Sequence, residues 1–138
     1  MVYSLIPFPL ILWAAVTDCK RRIIPDTVNV LLFFIGILSC VAYNPISYFD
    51  RLLGLMLPLI VMIYLAVRFG GIGGGDIKYT AALGFYFGIN RLVFIYLIAA
   101  IVGGVWCKFK RQKSIPLATF LSVGYAFYIT LIERACYL

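Results

Sequence analysis

Five side chains in this 138-residue sequence carry a carboxylate, and no histidine occurs anywhere. The acids are Asp18, Asp26, Asp50, Asp76 and Glu133. Without histidine, His-Glu-x-x-His zinc proteases, hydrolases with a Ser-His pair and Cys-His nucleophile pairs are all excluded. Carboxylates alone can still activate water: an ionised group takes a proton from the water while a protonated partner gives one to the substrate. Two such groups placed close together share a proton, because both cannot ionise side by side, and they titrate as one coupled unit.

The acids differ in their surroundings. Asp18 ends the first apolar run, in Thr17-Asp18-Cys19-Lys20-Arg21-Arg22-Ile23-Ile24-Pro25-Asp26. Its simplest role is a charge at the membrane edge paired with Lys20–Arg22; its other role is chemical, since an ionisable group at a membrane span marks function. Pro25-Asp26-Thr27 before an apolar run reads as a helix start with Asp26 as its N-cap. Asp76 follows Gly70-Gly71-Ile72-Gly73-Gly74-Gly75, five glycines in six residues. That run weakens a helix start, and one physical reason to keep it is to let another backbone approach closely. No dinucleotide fingerprint or phosphate-binding loop fits, because Lys78 follows Ile77 and no Gly-Lys-Ser/Thr occurs. Gly84-Phe85-Tyr86-Phe87-Gly88 matches the small-residue spacing of packed membrane helices. Cys19, Cys40, Cys107 and Cys136 are scattered. The pattern suits small packing residues, with Cys19 in its basic turn the one candidate for reactivity.

The elements that must position these acids are apolar helices. Hydrophobic residues make up 64% of the chain and charged ones 12%, against about half and a quarter in a soluble domain. At this length such an interior cannot be covered by a water-facing shell, so lipid is the expected solvent. Uncharged stretches cover residues 1–17, 27–49, 52–67, 79–90, 92–107 and 114–132, about six candidate spans in a polytopic all-α protein. The fourth is too short to cross alone and gains length only by extending backward through Asp76 and its glycines. Nine basic residues (Lys20, Arg21, Arg22, Arg68, Lys78, Lys108, Lys110, Arg111 and Lys113) fall in alternate loops, and three (Arg51, Arg91 and Arg134) in the others. The positive-inside rule then puts Asp18, Asp26 and Asp76 on the cytoplasmic side and both termini outside. The net charge of +7 follows from that topology, with no nucleic-acid partner implied. Val2–Val16 lacks the basic start of a cleavable signal peptide, and residues 1–138 read as one membrane-embedded domain.

Three patches resemble a known family. Gly73-Gly74-Gly75-Asp76 resembles the Gly-x-Gly-Asp motif of intramembrane aspartyl proteases. Its extension through Ile77-Lys78 to Ala81-Ala82-Leu83-Gly84 is similar to type IV prepilin peptidases, as is Asp18 with Pro25 seven residues later. Lys113-Ser114-Ile115-Pro116-Leu117-Ala118-Thr119-Phe120-Leu121 looks like a third family stretch. The resemblance implies a six-helix membrane protease of the Gly-x-Gly-Asp aspartyl fold, without metal or other cofactor. It would cut the short basic leader from pilin-like or pseudopilin precursors at the cytoplasmic face of the cell membrane. It also implies that Asp18 and Asp76 are the catalytic pair and that Gly73, Gly74 and Gly75 shape the loop. Pro25 would belong to the first aspartate's segment, and Lys78 would lie near Asp76, tuning it or pairing with it. The chain lacks the cysteine-rich N-terminal domain of larger members, so N-methylation is not expected. Gly70 and Ala118-Thr119 depart from residues common in the family, which bears on substrate preference more than on catalysis.

The alternative from another class is a small proton- or cation-coupled transporter or channel using the same aspartates. It calls for acids near the bilayer midplane and often an inverted repeat, whereas these acids cluster at one boundary and no repeat is evident. A noncatalytic assembly subunit with lipid-binding basic loops would not explain the three patches. The sequence leaves the oligomeric state open.

Overall fold

All regular structure among the described residues of the computed structural model, 5–42, 46–70, 72–110 and 117–133, is helical. The helices are α1 (Phe8–Arg21), α2 (Asp26–Ala42), α3 (Tyr48–Phe69), α4 (Gly74–Lys110) and α5 (Leu117–Phe127), which runs on into a π-helical stretch, Tyr128–Glu133. Local chemistry sets their ends. Prolines open α1, where a missing N–H loses no bond. The carbonyl of Pro25 accepts the Val28 N–H at 3.1 Å as α2 begins. At the end of α3 Gly70 takes φ 69°, a left-handed value that only glycine adopts without strain. Gly71, Arg111, the third patch as far as Pro116, Arg134 and Cys136 lie outside the described residues.

Two helices are long and apolar enough to cross a membrane, the 22 residues of α3 and the 35 of Gly74–Lys108 in α4. At 1.5 Å per residue α3 reaches about 33 Å, enough for a hydrocarbon core of about 30 Å. Only 17% of its most apolar stretch is buried, so it is not the core helix of a water-soluble domain. Asp26–Ala42 and Leu117–Leu131 are apolar but shorter.

The fourth and fifth apolar stretches, expected as separate spans with Arg91 in a loop between them, form the two halves of α4, which meet at a kink where Gly88 leaves the helical region with φ 74° and ψ 167°, and helix has resumed before Arg91. Arg91 therefore sits inside a helix. As anticipated, the helix extends backward through Asp76, starting at Gly74.

The chain divides into two compact units, Ile23–Leu92 and the combination of Met1–Arg22 with Val93–Leu138. In the second of these α1 and α5 run antiparallel. Thr119 Oγ1 donates to the Ala15 carbonyl at 3.2 Å, and the Phe8 and Tyr125 rings stand 6.4 Å apart. The later half of α4 crosses α5 where a Cβ on Gly124 would meet Ile95 O at 2.5 Å.

In the unit Ile23–Leu92, α3 crosses the first half of α4 backbone to backbone. A Cβ on Gly84 would collide with the Gly54 carbonyl, and a Cβ on Gly54 with that of Gly84. Gly84 thus serves close helix contact as its spacing suggested, but its partner is Gly54. Arg51, counted from sequence as a loop charge, lies in α3 and is only 2% exposed. Its Nη1 donates to Ser39 Oγ at 3.0 Å and to the Gly36, Phe85 and Tyr86 carbonyls, each at 3.4 Å. The physical reason is the break at Gly88. The last carbonyls before a helix end lack intrahelical donors, and Arg51 supplies them to Phe85 and Tyr86.

Candidate active site

Asp18 sits near the end of α1, 4% exposed. Its carboxylate Oδ2 accepts the backbone N–H of Ala118 at 2.8 Å. Ala118 is the second residue of α5, and the first N–H groups of a helix have no intrahelical acceptor, so they suit an anion. The third sequence patch thus meets the Asp18 segment: Leu117–Leu121 begins the helix that holds Asp18. α1 ends four residues after Asp18 at Arg22, which takes φ 53° and ψ 33° and donates its N–H to the Asp18 carbonyl at 2.8 Å.

Asp76 lies in the other unit, in the first turn of α4. Its N–H donates to the Gly73 carbonyl at 3.1 Å, as does that of Ile77 at 3.3 Å. A Cβ at Gly73 would stand 3.5 Å from Asp76 Oδ2, ordinary contact, and one at Gly74 would meet nothing within 4 Å. Gly75 is the tight position: its Cβ would be 3.3 Å from the carbonyl oxygen of Ile24. At Gly75 the backbone that approaches closely is the chain's own, at Ile24.

Lys78, expected near Asp76, pairs with Asp26. Its Nζ donates to Asp26 Oδ1 at 3.0 Å, with the two side chains 62% and 70% exposed. Asp26 is the first residue of α2, and its carboxylate takes Lys78 instead of acting as the expected N-cap. Two exposed charges so placed gain little from each other, but the pair fastens the start of α2 to the start of α4 within one unit. Pro25 stands between, immediately before α2.

Sequence reasoning missed two elements of the Asp18 environment. The Ala118 N–H is a backbone donor that no search for reactive side chains can find; the third patch was the only signal of it. The left-handed turn at Arg22 carried no signal, because glycine or asparagine usually marks such a position.

A profile of the type IV leader peptidase family matches residues 5–108. The leader peptidase HopD of Escherichia coli is 30% identical over 138 aligned residues, covering 90% of this chain and 86% of that protein. The prepilin peptidase EppA of Methanocaldococcus jannaschii is 32% identical over 136, covering 88% of this chain and 38% of its own length. The prepilin leader peptidase/N-methyltransferase of Bacillus subtilis is 28% identical over 125, covering 83% of this chain and 50% of its own length. The chain thus spans about half the length, or less, of several curated relatives it matches, and most of HopD. No solved structure matches. The profile takes in both aspartate segments, with Asp18 anchored on a helix start and Asp76 behind its glycine turn, and the chain belongs to the type IV leader peptidase family.

Proposed function

We propose that this chain is a membrane aspartyl endopeptidase that removes the leader from prepilin or pseudopilin precursors, with Asp18 and Asp76 as its catalytic pair. The observation that carries the reading is the buried Asp18 carboxylate, fixed at 2.8 Å by the Ala118 N–H within a chain whose relatives are named for prepilin cleavage. A carboxylate so desolvated and oriented is suited to chemistry rather than to a surface ion pair. One aspartate, ionised, takes a proton from water as its oxygen attacks the scissile carbonyl. The other, protonated, donates to the carbonyl oxygen; the tetrahedral intermediate collapses as the amine leaves with a proton. Gly73 and Gly74 keep the approach to Asp76 free of side chains, Gly75 shapes the loop by letting Ile24 pass beside it, and the open side of Gly74 leaves room for an extended peptide.

The membrane setting belongs to the same proposal. Residues 1–138 act as one membrane-embedded domain of about six crossings, since the family match runs through both units. The basic residues around Asp18 and Asp76 put the reaction at the cytoplasmic face and both termini outside. The test is co-expression with candidate prepilins, scoring loss of the leader by gel shift. The wild type shortens a precursor, while Asp18→Asn and Asp76→Asn insert normally and do not. Cleavage retained by either variant removes that residue from the pair. A folded wild type that cuts nothing turns attention to ion flux and the transporter reading.

A further inference from the structure

The geometry points to Asn29 as a substrate-binding residue, its carboxamide pairing with a peptide group of the bound precursor deeper along α4 than Asp76. This deepens the aspartyl peptidase reading and rests on it. Asn29 lies in α2 and is only 6% exposed, yet neither its Nδ2 nor its Oδ1 has a hydrogen-bond partner among the described residues. Buried polar groups are almost always paired, and leaving one unpaired is costly. Polar side chains between membrane helices ordinarily bond across to a neighbour, and this one does not. Nor is it a helix cap, since α2 starts three residues earlier at Asp26.

Its place follows from contacts within the unit Ile23–Leu92. Ile24 lies against Gly75, Asp26 accepts from Lys78 at 3.0 Å, the Phe33 and Phe85 rings stand 4.9 Å apart, and a Cβ on Gly36 would meet Phe85. α2 and the first half of α4 therefore run side by side in one direction, advancing nearly residue for residue. Asn29 shares the buried side of α2 with Leu32 and Gly36. It stands level with Thr80 and Ala81, about 6 to 8 Å beyond Asp76 along the helix axis. An extended peptide covers that distance in about two residues. Inside a bilayer no water satisfies the N–H and C=O groups of an extended segment, so an enzyme that holds one there must offer a donor and an acceptor together. A neutral carboxamide offers both, and that of Asn29 has both unspent. The amide is covered in the free chain, and the entering precursor parts the helices beside it.

The experiment uses the full chain purified in mild detergent, a prepilin that the wild type cuts, and the variant Asn29→Leu, which keeps the volume and removes both polar atoms. Stability and activity should then move in opposite directions. The variant unfolds at or above the wild-type temperature, because two unpaired polar atoms leave the interior. Its KM rises about tenfold or more, as the loss of two hydrogen bonds to a peptide group implies, while kcat stays within about threefold. In an Asp76→Asn background, where nothing is cut, Asn29→Leu weakens binding of the labelled precursor by the same factor. A leucine variant that unfolds earlier than wild type overturns the proposal, because the amide then serves the resting fold. A leucine variant with wild-type KM overturns it as well, and so does one that loses kcat alone. A wild type that cuts no prepilin overturns the peptidase reading and this inference with it. A wild type that cuts, beside a leucine variant that cuts equally well, removes the inference alone.

Discussion

Replacing Arg51 by methionine isolates what a buried cation does at the break in α4. Arg51 Nη1 has four acceptors, Ser39 Oγ and the Gly36, Phe85 and Tyr86 carbonyls, but only two hydrogens to share among them. Hydrogen bonds from a charged donor contribute about 1.5–3 kcal/mol each, so the two amount to about 3–6 kcal/mol before compensation. Methionine fills much of the side-chain volume and relieves the desolvation of the guanidinium. It leaves the carbonyls ahead of Gly88 without donors, and a net loss of about 2–4 kcal/mol is expected. The assay is unfolding in mixed micelles of mild detergent and dodecyl sulfate, followed by far-ultraviolet circular dichroism. Arg68→Met on the exposed end of the same helix is the control and should stay within about 0.5 kcal/mol of wild type. If Arg51→Met matches that control, the hydrogen bonds are not holding the break and the reasoning fails.

Other expectations follow from the same geometry. Gly84→Ala drives a methyl group into the Gly54 carbonyl and should destabilise by about 3 kcal/mol or more, since neither backbone can give way cheaply. Gly104→Ala meets nothing within 4 Å and should stabilise by up to about 1 kcal/mol; the same unfolding titration reads both, and equal effects would contradict the crossing. Asp26→Asn loses an exposed ion pair and should change stability by less than about 1 kcal/mol, with most leader cleavage kept. A cleavage rate cut more than about tenfold would instead place Asp26 in the reaction. In a variant with Cys40, Cys107 and Cys136 replaced by serine, exposed Cys19 should react with an impermeant maleimide from the cytoplasmic side. Labelling only from the outer side would reverse the topology.

Much of the chemistry was legible along the chain because it depends on residue type. The absence of histidine, the few carboxylates and the apolar runs are one-dimensional facts, and three ordered patches are enough to mark a family. The same reading erred where charge was judged by neighbours in sequence. Arg51 and Arg91 interrupt apolar runs and so looked like loop residues, yet both lie within helices. A single arginine can stay in a helix when carbonyls from other helices accept its hydrogens, and only packing reveals those acceptors. For Lys78, placed by sequence near Asp76, only the fold shows that its ammonium reaches Asp26, 52 residues distant in sequence.

The sequence by itself determined that this is an apolar, helical chain of the leader peptidase family with candidate acids at Asp18 and Asp76, because composition and short motifs are written in residue order. Tertiary structure alone decided how each acid is held. Asp18 is fixed by a backbone N–H from a residue 100 positions away, and a backbone donor has no signature in side-chain identity. Gly75 is small because Ile24 passes beside it, and Arg22 turns left-handed beneath Asp18 although its residue type argues against that turn. Such contacts depend on which helix ends meet, and helix ends meet only in three dimensions.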